Sequence, residues 1–374
     1  MGPRNDVLVD FAAGRRRRSV RALRRALSAI PAVAAARRPL APPPPHATSR
    51  RRSAALRATA APSAPDRLPG FQACPAALAV AYQGEPGAYS EGATLTAYPE
   101  CELVPCATFE DAFVTGESGA ADRVVLPFEN SLGGSIHRNY DLMLTHGLHI
   151  VGEVNFRVRH CLLALPGTEI GDVTRVLSHP QALAQCDGYL GRLNGGAVVR
   201  ESRVDTAGSA KVIRDEGLAG AAAVASERAA ELYGMAVLDR DLQDNPDNLT
   251  RFLALSRTPL PPDHSVTRRD PGMTYKTSLV FAFKDAAGTL FKSLACFALR
   301  DINLTKVESR PLKKEPLADG IDAGGPVQFQ YLFYVDCEAS LADEAMQNAL
   351  RNLEEHTLFL RVLGSYPRHT FTDV

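Results

Sequence analysis

The 374-residue sequence contains no tryptophan, no Cys-x-x-Cys pair and no apolar run near the roughly 18 residues that a membrane-spanning helix needs. Its seven cysteines are odd in number and scattered, which indicates a reducing compartment rather than a disulfide framework. Hydrophobic residues make up 45% of the chain and charged residues 22%, as in ordinary globular proteins. The sequence therefore predicts two or three globular domains and no membrane partner.

The usual signatures of cofactor and metal chemistry are also missing. The sequence has no G-x-G-x-x-G turn for a dinucleotide, no phosphate-binding G-x-x-x-x-G-K-[ST] and no H-E-x-x-H. Gly116–Gly119 is not a G-x-S-x-G elbow, and Cys101 and Cys106 have no second ligand pair near them. We therefore expect neither a metal nor a cofactor. What remains is a set of small polar groups at predicted strand ends, which suits the binding of a small anion.

Lysine and glutamate are absent from the first seventy residues, which carry 15 arginines and three aspartates. An arginine-rich, acid-poor leader is typical of an organelle transit peptide, so residues 1–65 are predicted to be a disordered targeting segment. A basic nucleic-acid arm or a nuclear signal is the alternative interpretation. The rest of the chain is net acidic, which argues against nucleic acid and anionic membranes as partners.

The remaining sequence divides into two patterned regions. From Ala77 to Ser256 short β-type runs alternate with helical windows, which predicts an α/β domain with a mostly parallel sheet. Residues 257–275 are rich in proline and are predicted to be a linker. Residues 276–366 follow the order βαββαβ, which is the ferredoxin-like arrangement, with a surface loop over residues 311–326.

Four segments combine glycine, hydroxyl or amide side chains with the end of a predicted strand. In three of them the strand leads into a helix, whose free N–H groups favour a carboxylate. In the fourth, strand alternation places Thr250 and Phe252 on one face and Arg251 on the other. Each segment alone is also consistent with a helix cap, a turn or an ordinary surface strand. The segments are Gln83–Ser90 (QGEPGAYS), Phe128–Ser135 (FENSLGGS), Ser178–Leu183 (SHPQAL) and Asp247–Phe252 (DNLTRF).

Taken together and in this order, the segments resemble the prephenate/arogenate dehydratase family. LSHPQALAQC, DTAGSAK and AAVAS match the family as well, and the resemblance covers about residues 77–366. The C-terminal unit resembles the ACT domain that is fused to that catalytic domain. With the arginine-rich leader, the resemblance points to the plant branch of the family, whose members are targeted to plastids. We therefore expect the protein in the chloroplast stroma.

The resemblance also implies a fold and a reaction. The fold is a two-lobed α/β catalytic domain (residues 77–256), similar to a type II periplasmic binding protein, followed by a ferredoxin-like ACT domain (residues 276–366). The reaction is the decarboxylating dehydration of arogenate to phenylalanine, or of prephenate to phenylpyruvate, with phenylalanine as an effector. Because ACT ligands bind between domains, a homo-oligomer, either dimer or tetramer, is implied. A non-catalytic amino-acid sensor and a solute-binding protein are the alternatives from other classes.

The resemblance assigns one catalytic residue. The essential threonine of the family corresponds to Thr250, which we expect to hydrogen-bond to the leaving hydroxyl of the substrate. Backbone N–H groups and polar side chains around Asn130, Ser131, Gly133 and Gly134 are expected to hold a substrate carboxylate.

Other candidate residues each have two interpretations that the sequence leaves open. Arg251 either clamps a carboxylate of the substrate or forms a structural ion pair. Thr206 and Ser209 cap a helix, bind substrate or do both, and His179 and Gln181 bind substrate or cap the next helix.

The candidates for an acidic partner of the arogenate ammonium group are Glu129 and Asp205. The candidates for effector binding are Gly288, Thr289, Leu290, Glu308, Ser309 and Arg310.

Overall fold

The computed structural model describes residues 78–261, 274–283, 286–311 and 331–369. The predicted transit segment (residues 1–65), residues 262–273 of the predicted linker and residues 312–326 of the predicted loop lie outside these ranges. Within the described residues, no helix combines the length and apolarity needed to cross a bilayer.

The described residues begin with a first α/β lobe. Its strands are rich in β-branched and aromatic residues and are largely buried. Its second helix begins at a capping box, in which Thr108 and Asp111 satisfy each other's backbone N–H groups. The elements are β1 (Ala79–Gln83), α1 (Tyr89–Ala97), β2 (Glu102–Cys106), α2 (Phe109–Ser118), β3 (Arg123–Asn130), β4 (Gly134–Ser135), α3 (His137–Thr145) and β5 (His149–Arg157).

The chain then crosses into a second lobe, where a sheet in the order β10-β6-β9-β7-β8 is covered by helices. The alanine-rich strand β9 lies at its centre, and its alternate residues enter two different apolar clusters on the two faces of the sheet. The elements are β6 (Cys161–Ala164), β7 (Arg175–Ser178), α4 (Pro180–Gln185), α5 (Asp187–Leu190), β8 (Val199–Ser202), α6 (Thr206–Glu216), β9 (Ala221–Ala225), α7 (Glu227–Tyr233) and β10 (Ala236–Arg240), with short 3₁₀ turns at Ile170–Asp172 and Leu193–Gly196.

A second crossing returns the chain to the first lobe as β11 (Leu249–Ser256), which completes the sheet order β2-β1-β3-β11-β5. The strands that follow the two crossings, β6 and β11, run antiparallel to their neighbours, whereas β1, β2 and β3 are parallel. The sheets are therefore mixed rather than mostly parallel, because each crossing brings the chain back in the opposite direction. The two-lobed α/β architecture itself is as predicted.

The C-terminal domain (residues 274–369) has the predicted βαββαβ order. Its four strands form an antiparallel sheet in the order β13-β14-β12-β15, with both helices contributing to one apolar cluster. This is the split βαβ arrangement of ferredoxin-like folds. The elements are β12 (Tyr275–Ala282), α8 (Thr289–Ala298), β13 (Leu304–Pro311), β14 (Tyr331–Cys337), α9 (Glu344–Glu354) and β15 (Phe359–Pro367).

The C-terminal domain and the first lobe share a hydrophobic core. One cluster of buried residues joins Phe128, Leu255 and their neighbours in the first lobe to Tyr334 and Tyr366 in the C-terminal domain. The Tyr334 hydroxyl donates a hydrogen bond of 2.9 Å to the carbonyl of Tyr140. The backbones also meet closely, because a Cβ on Gly364 would overlap the carbonyl of Ile150. The two parts are therefore packed as one body.

Candidate active site

A cavity of about 360 Å³ lies between the two lobes. The first lobe contributes the carboxyl ends of β1 and β3, the start of α1 and one face of β11, and the second lobe contributes the starts of α4 and α6. Six of the predicted site residues line this cavity. They are Asn130, His179, Gln181, Asp205, Thr206 and Thr250.

Thr250 and Asn130 are neighbours across the β11–β3 pair. The side-chain oxygen of Asn130 accepts hydrogen bonds from the backbone N–H groups of Leu132 (3.0 Å) and Gly133 (2.7 Å). This contact fixes the orientation of the amide, so its nitrogen donates to Thr250 Oγ1 at 3.0 Å. The hydroxyl oxygen of Thr250 thus serves as an acceptor, and among the described residues the structure shows no acceptor for its own proton. That proton is available to a ligand in the cavity.

A chain of amides extends this arrangement into the second lobe. Asn130 Nδ2 also donates to Asn248 Oδ1 (2.8 Å), and Asn248 Nδ2 donates to Gln185 Oε1 (2.9 Å). Gln185 Oε1 lies 2.9 Å from His160 Nε2, which must therefore carry the ring proton and donate it. His160 Nδ1 is then the acceptor for the Tyr89 hydroxyl at 2.7 Å. The network joins both lobes along the cavity wall and fixes the tautomer of a buried histidine.

The helix ends around the cavity differ in their capping. The Asp205 carboxylate accepts the Gly208 N–H at the start of α6, and His179 Nδ1 accepts the Gln181 N–H at the start of α4. Helix α1 begins at Ala88 without a side-chain cap, and its first residues line the cavity. Since uncapped N–H groups and the helix dipole favour anions, the start of α1 is the part of the wall best suited to a carboxylate.

The cavity wall holds little formal charge. Among its described residues, Asp205 is an acid, His160 and His179 are histidines, and none is lysine or arginine. Burial lowers the pKa of both histidines below the ordinary value, so both are neutral near pH 7. A bound anion is therefore surrounded by dipoles rather than by cationic side chains.

Four of the residues that were expected to bind substrate do not line the cavity. Gly133 lies beside it, where a Cβ would overlap the amide of Gln181 from the other lobe. The Ser131 hydroxyl donates to the carbonyl of Asp247 (2.8 Å) and so anchors the segment that precedes Thr250. Ser209 donates to the carbonyl of Asp205 within its own helix (2.7 Å), and Gly134 is paired with Asn130 in the sheet.

Arg251 and Glu129 lie on the opposite face of the sheet from the cavity. Arg251 contacts Glu153 and Asp336, so its geometry is that of the structural ion pair rather than the substrate clamp. Glu129 pairs with Lys306 of the C-terminal domain at 2.7 Å. Of the two acids considered for an ammonium group, Asp205 is the one that lines the cavity.

The predicted effector residues divide between two surfaces of the C-terminal domain. Glu308 accepts the Ser135 hydroxyl (2.6 Å), and Arg310 forms an ion pair with Asp141 (3.0 Å), so both face the first lobe. Ser309 alternates with them and is exposed. The others stand at the start of α8, where Gly288 adopts a φ of +79° that favours glycine; they are Gly288, Thr289 and Leu290.

Sequence reasoning missed three polar residues at the cavity: His160 and Gln185, which line it, and Asn248, which joins Gln185 to Asn130. Gln185 and Asn248 lie within the matched segments LSHPQALAQC and DNLTRF, but nothing in their spacing singles them out. His160 lies between two buried strands and carries no sequence signal. Their shared feature is a network among residues up to 118 positions apart along the chain, which is visible after folding.

The buried His160 predicts a pH dependence of stability. Its pKa is lowered by burial in the folded protein and returns to about 6.5 when the chain unfolds, so the unfolded chain binds the proton more readily. The stabilising contribution is complete above pH 6.5 and is lost as the pH falls below it. Each unit of difference between the folded-state and unfolded-state pKa changes the free energy of unfolding by about 1.4 kcal/mol. Chemical denaturation measures the free energy of unfolding between pH 7.5 and 5.5. His160→Gln should lose less of it over this range than the parent protein. An equal loss in the two proteins would contradict the assignment.

Comparison with known sequences gives a consistent picture. The family model described as prephenate dehydratase matches residues 80–260. "Arogenate dehydratase/prephenate dehydratase 2, chloroplastic" of Arabidopsis thaliana is 60% identical over 291 residues, which are 78% of this chain and 73% of the relative. "Arogenate dehydratase 2" of Petunia hybrida is 57% identical over 292 residues, 78% of this chain and 72% of the relative.

Two solved structures resemble the whole described fold. The prephenate dehydratase of Arthrobacter aurescens in complex with L-Phe has a TM-score of 0.67 and 28% identity, covering 78% of this chain and 90% of that one. GqqA, described as a novel type of quorum-quenching acylase, has a TM-score of 0.66 and 34% identity, covering 77% of this chain and 97% of that one.

Proposed function

The chain belongs to the arogenate/prephenate dehydratase family, and we propose that it converts arogenate to phenylalanine with release of carbon dioxide and water. It is accordingly a carbon–oxygen lyase. Prephenate, which carries a keto acid in place of the amino acid, is the second candidate substrate, since three relatives bear both activities in their names. One observation carries the proposal. The Thr250 oxygen accepts a hydrogen bond from Asn130, and no described residue accepts the Thr250 proton, which leaves it for the substrate.

The hard step is the departure of the ring hydroxyl. The ring carboxylate leaves as carbon dioxide, and the electron pair of its carbon–carbon bond moves into the ring and expels the C4 oxygen. The expelled oxygen takes up one proton from solvent and leaves as water, and formation of the aromatic ring supplies the driving force. A hydrogen bond from Thr250 to that oxygen stabilises its developing negative charge, and the bond from Asn130 makes the Thr250 hydroxyl a better donor.

The absence of lysine and arginine from the described cavity wall fits this reaction. A carboxylate that departs as carbon dioxide loses its negative charge in the transition state. A cationic clamp would stabilise the substrate more than the transition state and would slow the step. Dipoles at the start of α1 bind an anion less strongly than a cationic side chain does. We assign them the ring carboxylate of the substrate.

Acyl hydrolysis is a less suitable use of the same cavity. A hydroxyl nucleophile needs a base beside it. The neighbour of Thr250 is an amide, and both ring nitrogens of His160 are occupied by Tyr89 and Gln185. These contacts leave the Thr250 hydroxyl without a base and disfavour its use as a nucleophile.

The discriminating experiment supplies the purified protein with arogenate and, separately, with prephenate. Phenylalanine or phenylpyruvate and carbon dioxide are followed together. Stoichiometric product and carbon dioxide are expected with arogenate. Tight binding of arogenate without turnover would point to an amino-acid sensor, and release of neither product from either compound would refute the proposal.

Asp205 is the proposed partner of the arogenate ammonium group. Its replacement by asparagine retains the cap of α6, since asparagine is an equally good N-cap, but removes the negative charge. We expect Asp205→Asn to raise the KM for arogenate about tenfold, the value of one charge-assisted hydrogen bond, and to leave the KM for prephenate within twofold. Steady-state kinetics with both substrates measures this. Equal changes for the two substrates would assign Asp205 to the helix cap alone.

We also propose that phenylalanine regulates the enzyme through the C-terminal domain, as an ACT domain. The βαββαβ order and the Arthrobacter complex with L-Phe support this, and the effector site would lie between C-terminal domains of two subunits. Inhibition by phenylalanine, measured together with sedimentation, tests it. No change in activity or assembly would remove the regulatory role.

The proposed location is the chloroplast, because several relatives carry "chloroplastic" in their names. Residues 1–65 would be the transit peptide. Deleting them should leave activity intact and abolish import into isolated chloroplasts; import of the shortened chain would contradict the assignment.

A further inference from the structure

Strand β11 presents adjacent residues to two different parts of the molecule. Thr250 faces the cavity, and Arg251 faces the C-terminal domain. The pairing of β11 with β3 shifts register between Arg251 and Phe252, where Phe128 of β3 is the extra residue of a β-bulge. Thr250 and Arg251 are consecutive residues of β11, so a displacement of the Arg251 backbone displaces Thr250 as well.

The Arg251 guanidinium donates hydrogen bonds to three partners through its three nitrogens. Its Nε donates to Glu153 (2.8 Å), its Nη1 to Asp336 (2.5 Å) and its Nη2 to the Tyr366 hydroxyl (2.8 Å). The side chains of Arg251 and Asp336 are each 11% exposed, and that of Glu153 is fully buried. Two of the three partners, Asp336 and Tyr366, belong to the C-terminal domain.

A second set of contacts fixes these partners. Ser278 donates to the other oxygen of Asp336 (2.5 Å) and lies 2.7 Å from the Tyr366 hydroxyl. Lys276 donates to Glu153 (3.0 Å). Three strands of the C-terminal domain, β12, β14 and β15, thus meet at one arginine of the catalytic sheet.

We infer that Arg251 is a positioning residue through which the C-terminal domain sets the location of the Thr250 hydroxyl. The inference rests on the proposed function, which makes Thr250 the donor to the leaving oxygen. Separating charges buried this deeply is energetically unfavourable, because each would be left unpaired in a medium of low polarity. The C-terminal domain therefore cannot shift without moving β11, and a misplacement of about 1 Å at a reacting group costs up to about a hundredfold in rate.

The test removes contacts to Arg251 from the far side of the interface. Asp336→Asn removes the charge while retaining the shape, and Tyr366→Phe removes a single hydroxyl. The control is Asp141→Asn, which breaks the ion pair with Arg310 at the same domain interface but away from β11. All three are made in the full chain, and folding is checked by circular dichroism.

We expect Asp336→Asn to lower kcat about tenfold and Tyr366→Phe several-fold, with KM within twofold, because the substrate cradle is untouched. Asp141→Asn should retain kcat within twofold. Hydrogen–deuterium exchange across residues 249–256 should be faster in Asp336→Asn and Tyr366→Phe than in Asp141→Asn. This second readout does not depend on turnover.

Unchanged kcat and unchanged exchange in the folded variants would overturn the inference, and so would an equal loss of kcat in Asp141→Asn. If Asp336→Asn does not fold, Tyr366→Phe decides the question by the same criteria. If the parent protein turns over neither arogenate nor prephenate, the proposed function fails, and the exchange data alone then decide whether the C-terminal domain holds β11.

Discussion

Replacing Thr250 by alanine should lower kcat at least about a hundredfold while the protein folds normally. A positioned donor to a leaving group is worth about 10²–10⁴-fold, and the Thr250 hydroxyl supplies that hydrogen bond. The loss of one small side chain at the cavity wall leaves the sheet hydrogen bonds of β11 in place. The effect should therefore appear in turnover and not in stability.

Two further substitutions separate the hydroxyl from the shape of the side chain. Thr250→Ser keeps the donor and should retain most of the activity, whereas Thr250→Val keeps the volume and should be as slow as Thr250→Ala. Turnover is followed by phenylalanine formation at saturating arogenate. Near-normal kcat in the valine variant would remove Thr250 from the mechanism.

The Asn130→Asp substitution should have an effect of similar size. The two N–H groups of the Asn130 amide are shared among Thr250 Oγ1, Asn248 Oδ1 and the carbonyl of Leu249, which are all acceptors in this structure. A carboxylate of the same shape has no proton to offer them, and the Thr250 proton would turn toward it instead of toward the substrate. We expect kcat to fall about a hundredfold.

The control for Asn130→Asp is Asn194→Asp in the second lobe. The Asn194 amide donates to the carbonyl of Val173 (2.7 Å) and does not line the cavity. Its loss should lower the melting temperature but leave kcat within twofold. A comparable fall in kcat in both variants would show that destabilisation, rather than the orientation of Thr250, causes the effect.

Local patterns predicted the elements of the fold well. The runs Leu78–Tyr82 and Ala221–Ala225 have the composition of strands, and the structure has β1 and β9 there. Asp205 and Thr206 are both suitable N-caps, and Asp205 is the cap. The segment from Pro180 to Leu190 has a helical pattern throughout but breaks at Cys186, which adopts a φ of −113°. These features depend on residues a few positions apart, for which periodicity and capping are informative.

The site was predictable in part for the same reason. The period of two along a strand placed Thr250 and Arg251 on opposite faces before any contact was known. What lies across from Arg251 was not predictable, because Glu153, Asp336 and Tyr366 are 98, 85 and 115 residues away. The sequence therefore left the clamp and the ion pair as equal alternatives. The same separation hides the network from Asn130 to His160.

The shared core of the first lobe and the C-terminal domain bears on how such a protein can be divided or recombined. A segment that ends at residue 261 would expose the apolar surface that Tyr334 and Tyr366 now cover, and would leave Arg251 and Glu153 without their cross-domain partners. The two catalytic lobes alone are therefore not expected to form a stable unit. Exchanging C-terminal domains between homologues to alter their response to amino acids will succeed where the graft carries the matching contact surface of the first lobe with it.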